Sequence, residues 1–162
     1  MTTDLTMLTW TTLLCIVMWI PYILARIGSW GLLNAVGYPE DPPGVPAWAE
    51  RCERAHRNCV ENLVPFAALV LTAHVAGAAN ETTALCSIIF FWARVAHAGT
   101  YTLGVPWLRT VTFAVGFASM VGIALTILAA ERFGLVRCEA WVRRGRFALW
   151  NVLMLQVWRL SK

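Results

Sequence analysis

The sequence predicts an all-α integral membrane protein, a bundle of four transmembrane helices. Three observations carry that expectation. Only 14% of the 162 residues are charged while 59% are hydrophobic, and the mean hydropathy is +0.62, a balance far from that of a soluble domain. Four apolar runs approach the roughly 20 residues that a helix needs to cross a hydrocarbon core. The stretches between them carry glycine, proline and asparagine, the residues that break helices and build turns.

The first run, residues 5–25, closes at Arg26; Asp4 rather than a basic segment precedes it, so it reads as a retained helix and not as a cleaved signal. Residues 28–50, rich in glycine and proline and carrying Trp30, Tyr38 and Trp48, read as a loop at headgroup level. The second run, 60–79, ends in GAANET, a tight turn into the third, 83–103. That run stops at Gly104-Val105-Pro106, where proline forbids continuation, and the fourth run covers 111–130. Residues 131–162 form a basic extension with an apolar run too short to span easily. It reads as an amphipathic helix on the membrane surface or against a protein partner. The expected division is thus a membrane domain, 1–130, and an extension, 131–162. Basic residues are split too evenly between the two sides to set an orientation.

Five cysteines form no CxxC pair, and free thiols are expected. Cys52, His56 and Cys59 fall on one potential helix face, but no fourth ligand stands nearby and no metal is expected.

In a four-span chain the end of the first run, the start of the second, the end of the third and the start of the fourth share one side. Arg26, Arg54, Arg57, Asn58, Glu61, Arg94, His97, Tyr101 and Arg109 all fall there. The set Arg54, Arg57 or Asn58, Glu61 and the set Arg94, His97, Tyr101 each recur at helical spacing. Charges at membrane depth are costly unless they pair or face a wet cavity, so the two stripes are expected to face each other across a polar cleft. Its surplus of arginine suits an anionic ligand. Snorkelling of the arginines to the headgroups is the competing reading for each residue taken singly.

RCERAHRNCVENLVPF, from Arg51, and RVAHAGTYTLGVPWLRTVTF, from Arg94, resemble the MAPEG superfamily, the membrane-associated proteins in eicosanoid and glutathione metabolism. The likeness is nearest the microsomal prostaglandin E synthase and glutathione S-transferase branch. The resemblance implies a homotrimer of four-helix bundles that binds glutathione between subunits and acts on a lipophilic small molecule arriving through the bilayer. It implies a glutathione transferase or peroxidase. Arg57, Asn58 and Glu61 match the family's ligands on the second span, His97 and Tyr101 those on the third; Arg54 and Arg94 lie on the same stripes. Arg109 matches the arginine that stabilises the glutathione thiolate, and Thr110 stands where the prostaglandin synthase branch has serine. Tyr38-Pro39-Glu40-Asp41 resembles that branch's NPED, which makes Asp41 an accessory catalytic candidate. The chain departs from the branch at Phe113, where a tyrosine is expected, and in a shorter turn before Arg109.

A non-catalytic lipid-binding or scaffold subunit is the alternative, while no broken helix or inverted repeat supports a transporter. No nucleic-acid partner is expected. In a bacterium the chain would lie in the inner membrane.

Overall fold

The computed structural model describes residues 1–37 and 39–132, and among them all regular structure is helical, with no strand. Four long helices, α1 (Thr3–Trp30), α3 (Ala47–Val75), α4 (Glu81–Leu103) and α5 (Pro106–Arg132), are joined by a short α2 (Leu32–Val36) and three turns. α1, α3 and α5 are long and apolar enough to cross a membrane. The expected C-terminal amphipathic helix lies outside the described residues.

Every long helix outruns its apolar stretch. α1 passes Arg26 and ends one turn later at Gly31, which takes a positive φ of 74°. α3 begins at Ala47, more than three turns ahead of the apolar run that starts at Val60, so the arginine-rich motif is helical along its whole length. α5 begins at Pro106 and not at residue 111. Proline ends the preceding helix but suits a first helical position, because its missing N–H would have no partner there. Of the expected headgroup loop, Gly31, Gly37 and residues 39–46 are irregular among the described residues; Trp30 closes it by donating its indole N–H to the carbonyl of Pro43.

The helices alternate in direction, and side-chain contacts fix which ends meet. At one end Asp4 of α1, only 3% exposed, accepts a hydrogen bond from Ser87 of α4 at 3.2 Å. Nearby Asn80 caps α4 in a reciprocal box with Thr83. In the middle, Phe66 of α3 and Phe90 of α4 stack with centroids 3.9 Å apart, packed on Val70, Met120 and Ile123. At the other end Arg26 of α1 pairs with Glu53 of α3 at 3.0 Å, and Tyr22 meets His56 Nδ1 at 3.1 Å. There Arg51 Nε of α3 also donates to the Thr102 carbonyl of α4 at 2.9 Å.

That last bond sets the turn that carries Arg109. Gly104 caps α4 in the left-handed conformation, φ 79°, which glycine adopts without the steric cost a Cβ would add. A Cβ there would also stand 3.1 Å from Arg51 Nε. α5 follows after one residue, Val105, so Arg109 emerges in the first turn of α5, directly over the end of α4.

Candidate functional site

The polar end of the bundle holds a cleft of about 240 Å³ lined by Asn58 of α3, His97 and Tyr101 of α4, and Arg109, Thr110 and Phe113 of α5. Arg109 lies over the Tyr101 ring, its guanidinium carbon 4.8 Å from the centroid, a cation on the electron-rich face of an aromatic ring. The ring therefore holds the guanidinium at the cleft without neutralising it.

His97 is 4% exposed. Its Nδ1 faces the Arg109 carbonyl oxygen at 3.1 Å and the Thr112 hydroxyl at 3.3 Å. A carbonyl only accepts, so Nδ1 carries the proton. Thr112 in turn donates to the carbonyls of Leu108 and Arg109. In the neutral imidazole Nε2 is then an acceptor, and it is buried without a partner. Edge contacts with Tyr101, centroids 5.5 Å apart, and with Phe113 at 6.0 Å fix the ring plane.

Arg94 lies deeper than the sequence stripe suggests. It is 1% exposed and ties three helices together: Nη1 donates to Asn58 Oδ1 at 3.2 Å, and Nη2 to the carbonyls of Thr112 and Phe113, each at 3.4 Å. The guanidinium is flanked by the rings of Phe90 and Phe113, at 5.5 and 5.4 Å. Gly116 makes room for it, since a Cβ at that position would fall 2.5 Å from Nη2. Arg94 thus holds Asn58 in place from beneath, and its Nε is buried without a partner.

The remaining sequence-selected residues divide by position. Arg54, Arg57 and Glu61 stand exposed along α3, Arg54 and Glu61 one turn either side of Asn58 and Arg57 next to it. Arg54 pairs with Glu50 at 3.3 Å and Arg57 reaches Glu53 at 3.8 Å, both at the one-turn spacing of a helix surface. Exposed pairs of this kind hold their side chains weakly. Asp41 is exposed in the 37–46 segment and does not line the cleft, and Tyr38 lies outside the described residues. Cys52, His56 and Cys59 are sent to separate partners, the Met18 carbonyl, Tyr22 and Cys15. Among the described residues no group of three metal-ligating side chains forms.

Sequence reasoning passed over two features. Thr112 was not singled out, though it sits beside the His97 proton; its place one turn after Arg109 was the available signal. The Arg26–Glu53 pair was also missed, because Glu53 stands off the stripe that was followed.

The family model for MAPEG matches residues 7–129, most of the chain and all four long helices. The chain belongs to the MAPEG family. A curated relative, human microsomal glutathione S-transferase 1, is 31% identical over 85 residues, 52% of this chain and 55% of that protein. The chain thus spans about half the length of this curated relative. The family match takes in both quoted motifs, and so every residue of the cleft.

Proposed function

We propose that this MAPEG protein is a membrane-embedded glutathione-dependent transferase or peroxidase acting on a lipophilic electrophile. The observation that carries the reading is the Arg109 guanidinium, held over Tyr101 at a cleft that Asn58, His97 and Thr110 also line. Glutathione brings two carboxylates, an ammonium group and a thiol. A fixed cation beside the thiol lowers its pKa and supplies the thiolate, the reactive nucleophile. Arg54 and Arg57 would fork onto carboxylates and Glu61 would accept the ammonium. Asn58, His97 and Tyr101 would position the peptide, with Arg94 acting through Asn58. Thr110 offers a hydroxyl beside Arg109, and Asp41 would have to approach from the loop. The relative named above is a glutathione S-transferase by name, which favours the same co-substrate.

The ligand face of α3 supports a homotrimer. Arg54, Arg57 and Glu61 stand exposed in one chain, and a second copy against that face would enclose the tripeptide between subunits. α4 then serves as the fourth spanning helix, with its charges turned inward. The electrophile would enter from the lipid, react with the thiolate sulfur and leave as a glutathione adduct; where the substrate is a hydroperoxide, the sulfur would take its outer oxygen as a sulfenic acid, the alcohol would leave, and a second glutathione would convert the sulfenic acid to glutathione disulfide and water.

Addition of glutathione to the purified protein at neutral pH tests this. The expected result is an ultraviolet thiolate band that disappears when S-methylglutathione replaces the tripeptide. Binding without that band would move the assignment to a non-catalytic lipid-binding or scaffold subunit. Mass measurement in detergent reads the trimer.

A further inference from the structure

Below the cleft, where α1 crosses α3, the thiols of Cys15 and Cys59 meet with their sulfurs 2.9 Å apart. Both are buried, 6% and 3% exposed, among Met18, Ala55 and partly buried Leu14 and Leu63. The other described cysteines are placed differently: Cys52 points at the Met18 carbonyl, and Cys86 lies against Gly122 of α5. A covalent sulfur–sulfur bond is about 2.05 Å long, so closure needs an approach of only about 1 Å. We propose that Cys15 and Cys59 form an oxidisable dithiol, a modification site that reacts with hydroperoxides dissolved in the bilayer and closes to a disulfide joining α1 to α3.

The chemistry balances in two steps. One thiol sulfur attacks the outer peroxide oxygen and the O–O bond breaks. The sulfur becomes a sulfenic acid, and the departing alkoxide leaves as the alcohol with the thiol's proton. The second sulfur then attacks the sulfenic sulfur; the S–S bond forms, and the oxygen leaves as water with the second thiol's proton. Two thiols are oxidised by one unit each, and one hydroperoxide is reduced to alcohol and water. The S–H···S contact brings the second sulfur into place before the first reacts, which favours closure over further oxidation. Both thiols are buried among apolar side chains. An oxidant concentrated in the lipid phase suits them better than a dilute aqueous one. Asn58, which precedes Cys59 in α3, lines the cleft and holds Arg94, so closure of the bond would be felt there.

The test uses the full chain in lipid nanodiscs, without glutathione, so it does not depend on the transferase reading. Cumene hydroperoxide is added, remaining thiols are blocked with N-ethylmaleimide, and the peptides are mapped by mass spectrometry. The expected product is a Cys15–Cys59 cross-linked peptide lacking two hydrogens and reopened by dithiothreitol. In Cys15→Ser and Cys59→Ser the remaining partner should instead give a sulfenic acid trapped by dimedone. The native chain decides the matter even if a variant folds poorly. The proposal is overturned if excess hydroperoxide leaves both native thiols open to alkylation, takes them singly to acids, or links either one to another cysteine.

Discussion

Arg94 Nη1 and Asn58 Oδ1, 3.2 Å apart, join α4 to α3 at the floor of the cleft, and the same guanidinium reaches two carbonyls of α5. One buried side chain therefore sets the spacing of the three helices that line the site. An arginine can do this because its rigid fork presents several donors in one plane. Lysine offers a single point charge on a flexible stem.

Replacing Arg94 tests this arrangement. Arg94→Met keeps much of the volume but leaves the Asn58 oxygen and two α5 carbonyls without their donor, and should cost about 2–4 kcal/mol, since hydrogen bonds to charged groups contribute roughly 1.5–3 each. Arg94→Lys should lose nearly as much. Thermal unfolding in detergent gives the order native, Lys, Met; equal stability of all three would contradict the role assigned to the guanidinium.

Gly116→Ala approaches the same contact from α5. The new Cβ would fall 2.5 Å from Arg94 Nη2, and a guanidinium that is 1% exposed has little space into which to swing. Overpacking of this kind costs about 1–3 kcal/mol. The expected outcome is a lower melting temperature together with weaker glutathione binding, because Asn58 loses its anchor. A variant as stable as the native chain would show that the arginine has room to move.

The four long helices were legible in the sequence because hydropathy and turn residues mark helix bodies and the breaks between them, and three of them, α1, α3 and α5, are apolar enough to cross a membrane. The true helix ends were not legible. Hydropathy reports the apolar part of a helix, while the backbone ladder continues past it, as it does from Ala47 to Val60 in α3. Periodicity placed Arg94, His97 and Tyr101 on one stripe, but a stripe does not say how deep each residue lies. Arg94 became the buried tie and only His97 and Tyr101 reached the cleft. Asp4 read as an ordinary acidic residue at a helix start. Its burial against Ser87 depends on a pairing 83 residues away in the chain, which local pattern does not encode.

Gly104→Ala probes the turn that delivers Arg109. An alanine at φ 79° carries a left-handed strain of about 1–2 kcal/mol, and its Cβ would press on Arg51 Nε at 3.1 Å, loosening the bond to the Thr102 carbonyl. Stability should fall by about that amount. Catalytic turnover should fall further than glutathione affinity, because the change falls on the turn that carries Arg109 and not on Arg54, Arg57 or Glu61, the proposed ligand residues of α3. Separate binding and rate measurements distinguish this from a general loss of structure.

Phe113→Tyr restores the hydroxyl that the resembling branch carries. Phe113 lines the cleft and is 37% exposed, so stability should change by no more than about 0.5 kcal/mol. A new donor near the sulfur should strengthen the thiolate band and raise turnover by up to about tenfold, the equivalent of roughly 1.4 kcal/mol. A fall in both would mean that the hydroxyl disturbs the aromatic contacts of His97 and Arg94 instead.

The clearest separation of roles comes from Arg109 and Glu61. Arg109 stands against Tyr101 inside the cleft, whereas Glu61 stands on the exposed face of α3 one turn beyond Asn58. Arg109→Ala should abolish the thiolate band at neutral pH, since each unit by which the thiol pKa rises removes about 1.4 kcal/mol of preference for the ionised form. Binding should weaken only modestly, because the contacts proposed for the two ends of the peptide remain. Glu61→Gln should do the opposite: it removes the proposed partner of the ammonium group, a charge-assisted contact of about 1.5–3 kcal/mol, yet at saturating glutathione the band should persist. Calorimetry and ultraviolet difference spectra on the two variants read the two effects independently. If Glu61→Gln loses the band at saturation while Arg109→Ala keeps it, the assignment of thiolate stabilisation to Arg109 fails.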